Sequence, residues 1–311
     1  MDIFPFVQVS ANQKDSKFSQ ILAVLLERLP KSCFVYNAVK ISPRFPNHSK
    51  LFYVNLPGGD NNNSISSTSW IFVTHFTEDH GQNILISSPL RPQDAPFSPS
   101  EKAVLVKLLS PSVIFAWDEP HWFVGLDIPV GRLITEICVE EKGQVIEIQP
   151  DTLMYMDFRD EEVLPVLDKD LTTEAEKHSE FLIKSLNVSD GTEFISKSWK
   201  YSKPDVTNLS VERFLQENES GGVYLTGSDE TPVSGIILHA FGLLSMLYTS
   251  EGERGKGLAK LAIKWASREM IKSDLFPASS IQSLNQASLR THEKIGFKNA
   301  GSLYWIVYAP H

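Results

Sequence analysis

The stretch GERGKGLAK, residues 252–260, places three glycines and three basic residues in nine positions. It follows the apolar run GLLSMLYTS (242–250), which reads as a strand. It precedes a segment in which Leu258, Leu261, Ala262, Trp265 and Ala266 mark one face of a helix reaching to about Met270. A strand feeding a glycine loop that opens an amphipathic helix forces an architecture of mixed sheet and helix. It also turns the first backbone N–H groups of the helix toward whatever lies in front of the loop. Such a terminus carries partial positive charge and favours an anion.

Three anion-binding loops compete for this pattern. A Walker A loop places a lysine directly after its last glycine, and Leu258 stands there. A dinucleotide fingerprint needs G-x-G-x-x-G; Gly255 and Gly257 fit, but Lys260 replaces the third glycine. The pattern [QR]-x-x-G-x-[GA] is met by Arg254, Gly257 and Ala259. In that loop the glycines let backbone N–H groups turn inward on a pyrophosphate, and Arg254 and Lys256 add charge at its rim.

The rest of the chain is compatible with this local reading. Its 311 residues are comfortable for two domains, and 42% apolar with 22% charged residues describes a globular protein. No apolar run approaches the roughly 20 residues that span a bilayer, and the start MDIFPFVQVSANQKD lacks the pattern of a secretory signal. The two cysteines, Cys33 and Cys138, are too few for a disulfide framework. A cytoplasmic protein with reduced thiols is the expectation. A net charge of −9 argues against a nucleic-acid surface.

Periodicity predicts a helix at 18–29 and strands at 33–41, 51–56, 70–76 and 83–88, with 58–69 as a hairpin tip. A helix at 99–109, capped by Ser98 or Ser100, and apolar segments including VIFAW (113–117), HWFVGL and LMYMDF complete the first half. The second half begins with an acidic, helical stretch at 159–186. A helix at 211–220 is expected to end at Gly221-Gly222, followed by two strands joined by a turn at SDETP. Beyond the glycine loop come a strand at 278–284, a helix at 286–296 stopped by Gly296, and a last strand at 303–308.

The second motif is NQASLRTHEKIGF (285–297); its Asn285 follows Gly257 by 28 positions. Arg254/Gly257/Ala259, then Asn285 and Ser288, then Lys294-Ile295-Gly296-Phe297 together resemble the GCN5-related N-acetyltransferase (GNAT) superfamily. The chain length, the strand LMYMDF and the segment ISKSWKYSKP (195–204) are further similar to the glycine N-acyltransferase-like family. The resemblance implies an α/β (α+β) fold of two tandem GNAT-like domains, each a mixed, mostly antiparallel sheet flanked by helices. The expected division is a degenerate N-terminal domain at 1–157 and an acyl-CoA-binding domain at 158–311. The nearest phosphate-loop candidate in the first half, LDIPVGRL (126–133), has a single glycine, so that half is expected to bind no CoA.

The same resemblance implies an N-acyltransferase acting on the amine of glycine or a related small acceptor, with acetyl-CoA or another acyl-CoA as co-substrate. No metal, nucleic acid or membrane partner is implied. The backbones of Met246, Leu247 and Tyr248 would contact the acyl-CoA arm. Arg254, Gly255, Lys256, Gly257, Leu258 and Ala259 would hold its pyrophosphate, and Asn285 and Ser288 would lie beside it. Asn285 also suits a helix N-cap. The superfamily often places a tyrosine proton donor seven residues after that asparagine; here His292 stands in its place. A glutamate base would fall at Leu243, which cannot take a proton, and His239 is the nearest titratable substitute. Three readings therefore stand: acylation of a small amine, acylation of a peptide N-terminus, and an acyl-CoA-binding protein that has lost catalysis.

Overall fold

The computed structural model describes residues 6–55, 64–91, 97–108, 118–199 and 202–311. The chain forms two compact units. The first comprises residues 1–151 and 302–311, the second residues 152–301. The final strand therefore belongs with the first unit, which a linear division at residue 157 does not provide for.

The first unit contains β1 (Val7–Val9), α1 (Ser16–Glu27), α2 (Cys33–Ile41), β2 (Ser49–Val54), β3 (Trp70–Thr77), β4 (Gly81–Ser87), α3 (Pro99–Leu108), β5 (His121–Asp127), α4 (Ile128–Ile137) and most of β6 (Gln144–Tyr155). Strands β1 to β4 pair antiparallel in sequence order, and β4 pairs parallel to β5. Residues 303–308 of the last strand then run antiparallel to β5. Alternate residues of these strands, among them Phe52, Trp70, Phe72, Ile84 and Phe123, bury one face against Val130 and Ile134 of α4. Helix α3 opens with a capping box: Glu101 N–H donates to Ser98 Oγ at 3.2 Å, and Ser98 N–H to Glu101 Oε2 at 2.8 Å.

Residues 33–41, expected as a strand, form helix α2. Every residue of that run except Lys40 is buried. A short, mostly apolar run buried at nearly every position gives no periodicity by which strand and helix differ. The apolar segment at 113–117 and the tip residues 58–63 lie outside the described residues. Strands β2 and β3 do pair antiparallel, as a hairpin requires.

The second unit contains α5 (Val163–Lys177), β7 (Phe181–Lys184), α6 (Val188–Ser198), α7 (Pro204–Glu217), β8 (Ser220–Leu225), β9 (Ser228–Leu238), β10 (Leu244–Thr249), α8 (Leu258–Lys272), β11 (Ala278–Gln282) and α9 (Gln286–Lys294), followed by the start of β12 (Lys298–Ala309). Four strands form an antiparallel sheet in the order β7-β8-β9-β10, with β10 at its edge. Helix α8 covers β8 and β9 with Leu258, Leu261, Ala262, Ala266 and Met270. Strand β11 lies next to β10 but does not join its ladder.

Two turns differ from the expectation. Gly221 and Gly222 sit inside β8 rather than ending α7. A Cβ on Gly221 would come within 2.0 Å of the Ala262 carbonyl oxygen, so glycine is what lets α8 press onto the strand. The hairpin from β8 to β9 turns at Thr226-Gly227, with Leu225 opposite Ser228, so SDETP belongs to β9. Gly227 supplies the positive φ, +82°, that such a tight turn needs. Helix α6 was not anticipated. Among the described residues, no helix is long and apolar enough to cross a membrane.

Candidate functional site

Strand β10 leaves its ladder before it reaches the glycine loop. Ser245 pairs with Ile237 and Tyr248 with Gly235, so β10 spends three steps where β9 spends two. The extra residue makes a β-bulge. Met246 takes it up with φ +55°, a left-handed conformation uncommon outside glycine. The bulge turns the Met246–Leu247 backbone out of the ladder on the edge next to β11. The Tyr248 carbonyl is already engaged, accepting from Ser234 Oγ at 3.1 Å.

After Thr249 a single 3₁₀ turn (Glu251–Glu253) leads into the loop. Gly255 and Gly257 both adopt φ +83°, and a Cβ on either would meet nothing within 4 Å. The backbone, not crowding, demands glycine here, and the space before the loop is open. Gly257 is the left-handed N-cap of α8. Among the described residues, nothing accepts from the backbone N–H groups of Gly255, Lys256, Gly257, Leu258 or Ala259; the next, Lys260 N–H, bonds to Gly257 at 3.0 Å. Five successive free donors at a helix N-terminus form an anion cradle.

That cradle opens on a pocket of about 360 Å³ whose lining includes Gly255, Lys256, Gly257, Lys260, Lys264 and Lys294. Two of the lysines are paired: Lys264 Nζ lies 2.6 Å from Asp170 and Lys256 Nζ 2.8 Å from Glu253. Lys260 and Lys294 have no ion pair among the described residues, and Glu174 is the one carboxylate in the lining. Lys260, Lys264 and Lys294 were not among the expected site residues, and the structure places them in the lining. The signal was available in the spacing, since Lys256, Lys260 and Lys264 recur every four residues on one helical face. Arg254 is not in the lining. Its Nε donates to the Thr249 carbonyl at 3.1 Å and its guanidinium lies 5.6 Å from the Tyr248 ring centre, so it ties the loop back to β10.

The start of α4 is built differently. Strand β5 ends at Asp127 and α4 begins at Ile128 with no loop between them. The Asp127 carboxylate stands at the helix start, 3.3 Å from Lys31, and Pro129 contributes no N–H. An anion would meet a carboxylate there in place of a cradle.

Asn285 caps α9, its Oδ1 accepting from Ser288 N–H at 3.1 Å. His292 is 2% exposed and bonded at both nitrogens: Nδ1 lies 2.9 Å from the Ser288 carbonyl oxygen and Nε2 3.1 Å from Ser279 Oγ. A carbonyl can only accept, so Nδ1 carries the proton and Nε2 accepts from the serine. Burial also holds the imidazole below its ordinary pKa of 6.5, against a smaller opposing effect of the Ser288 backbone bond. Both nitrogens of the imidazole are thus engaged within the second unit.

His239 lies in the turn between β9 and β10, at the opposite end of β10 from the glycine loop. Its backbone closes that turn through bonds with Leu243 and Gly242, both 2.9 Å. Its buried ring packs 3.6 Å from the ring centre of Phe241 and 4.2 Å from that of Phe214. Leu243 is itself buried in the same turn. The structure therefore holds the loop, the bulge and the cap of α9 in one unit, with both histidines buried in it.

Known proteins reinforce the fold. The FR47-like protein family matches residues 222–306, a segment that contains the bulge, the loop and α9. No curated protein matches the chain. The crystal structure of a Drosophila protein is similar over 98% of both chains, with a TM-score of 0.72 at 17% identity. A tandem GNAT protein from the clavulanic acid biosynthesis pathway is similar over 98% of both chains, with a TM-score of 0.50 at 11% identity. These likenesses show a two-domain GNAT fold.

Proposed function

We propose that the second unit binds an acyl-CoA and transfers its acyl group to the amine of a small acceptor, glycine or a related compound. The observation that carries this reading is the row of five N–H groups, Gly255 to Ala259, beside a pocket lined by Lys260 and Lys294, none of which has a partner among the described residues. A pyrophosphate needs such donors and cations, and the open space in front of both glycines fits its oxygens. The bound thioester would supply the electrophilic carbonyl. The chain's own part is to hold and orient: the Met246–Leu247 bulge presents backbone groups to the amide-bearing arm, and the α9 cap borders the same arm. The acceptor class rests on the resemblance to glycine N-acyltransferase-like chains.

A second reading, acyl-CoA binding without turnover, is favoured by two observations. Leucine stands where a glutamate base would be, and both candidate histidines are packed away. Calorimetric titration with acetyl-CoA, and separately with a longer acyl-CoA, tests what the two readings share. Micromolar binding that is abolished by Gly257→Asp is expected; unaltered binding in that variant would remove the loop from the site. A thiol-release assay with glycine and small amines then separates enzyme from binding protein.

A further inference from the structure

His292 holds the position from which a tyrosine would protonate a leaving thiolate, yet its bonds describe a different task. A hydrogen-bonded chain runs from β11 to the cap of α9. Ser279 Oγ–H donates to His292 Nε2 at 3.1 Å, His292 Nδ1–H donates to the Ser288 carbonyl at 2.9 Å, and Ser288 N–H donates to Asn285 Oδ1 at 3.1 Å. Asn285 N–H in turn bonds to the Gln282 carbonyl at the end of β11, at 2.8 Å. Ser279 and His292 are each 2% exposed, and the imidazole sets its edge against Phe297 with ring centres 4.9 Å apart.

We infer that His292 is a positioning residue: a neutral Nδ1–H imidazole that ties β11 to the Asn285–Ser288 turn and so fixes the part of the acyl-CoA site that this turn forms. It rests on the acyl-CoA reading only for what the turn touches. An imidazole can bridge a hydroxyl donor and a carbonyl acceptor on opposite sides of its ring only while it is neutral, with Nδ1 protonated. Protonation at Nε2 would set two hydrogens against each other at Ser279 unless the serine hydroxyl rotated away. The burial of both partners makes the chain costly to break, because each unpaired group would be left without water.

Side-chain ¹H–¹⁵N spectra of the full-length protein give the tautomer directly. The Nδ1–H neutral form is expected at pH 7; an Nε2–H tautomer or an imidazolium would overturn the assignment. Hydrogen exchange at the Ser288 amide tests the tether. It should accelerate about tenfold in Ser279→Ala, the cost of one buried hydrogen bond, and more in His292→Phe; unchanged exchange in a folded Ser279→Ala variant would refute the tether. In turnover, Ser279→Ala should raise KM for acyl-CoA and leave the pH profile of kcat in place. Loss of a pH limb at unchanged KM would instead make His292 the acid. If the wild-type chain binds no acyl-CoA, the functional reading fails, while the tautomer and the exchange rates still decide the role of His292.

Discussion

Lys256 Nζ lies 2.8 Å from Glu253 Oε2, so a cation at the mouth of the anion cradle is already held by a carboxylate of its own loop. An incoming phosphate must compete with that carboxylate. Exposed ion pairs of this kind are worth about 0.2–1 kcal/mol, and Lys256 is half exposed. Glu253→Gln is therefore expected to tighten acyl-CoA binding by up to about fivefold. Calorimetry at low ionic strength measures it. Weaker binding in the variant would mean that Glu253 orders the loop rather than competing with the ligand.

Lys260 and Lys294 reach the pocket from two different helices and have no carboxylate partner among the described residues. Truncating either to alanine should weaken acyl-CoA binding by about tenfold, the scale of one charge-assisted hydrogen bond. Lys272, paired with Glu269 at 3.2 Å on the last turn of α8, is the control and should have little effect. The deficits at Lys260 and Lys294 should shrink as salt is raised, since the Debye length falls from about 10 Å at 0.1 M to about 3 Å at 1 M. Equal deficits at all three lysines would point to a general charge effect.

Gly221→Ala tests the packing that carries the site. The obstacle is the carbonyl of Ala262, a backbone atom in the middle of α8, and not the end of a flexible side chain. Either β8 or α8 must shift. Overpacking of this kind costs about 1–3 kcal/mol, and a backbone obstacle favours the upper end. A lower urea midpoint at unchanged slope is the expected result. A midpoint equal to that of the wild type would show that the helix moves away freely, and the loop at its start would then not be rigidly seated.

The parts legible in the sequence were those written in local chemistry. The glycine loop, the amphipathic α8, the cap at Asn285 and the stop at Gly296 each follow from the residues that form them. What the sequence concealed depends on neighbours distant in the chain. The helix at 33–41 was hidden because burial of nearly every residue erases the periodicity that separates helix from strand. Gly221 resembled a helix stop, but its purpose is the approach of Ala262, 41 residues later. His292 has the ordinary pattern of a surface helix position, and only Ser279 on β11 reveals that its second nitrogen is taken. The division of the chain near residue 157 could not foresee that the last strand returns to the first unit, because strand pairing is not encoded in sequence order.

The lowered pKa of His292 makes the stability of the fold depend on pH. In the unfolded chain the imidazole titrates near 6.5; in the folded chain burial, the dominant effect, moves it lower. Between those two values the unfolded state binds the extra proton, so acid favours unfolding. The contribution of the neutral, bonded His292 is whole above pH 6.5, declines as the pH falls through the window below it, and levels off below the folded value. His292→Phe removes this titration along with both hydrogen bonds. The loss of stability caused by the variant should therefore be largest near pH 7.5 and shrink toward pH 5. Urea unfolding of both proteins across that range, compared as a difference so that all other groups cancel, provides the measurement. A difference that grows as the pH falls would mean that the folded state stabilises the imidazolium, and Ser279 would then have to accept from His292 rather than donate to it.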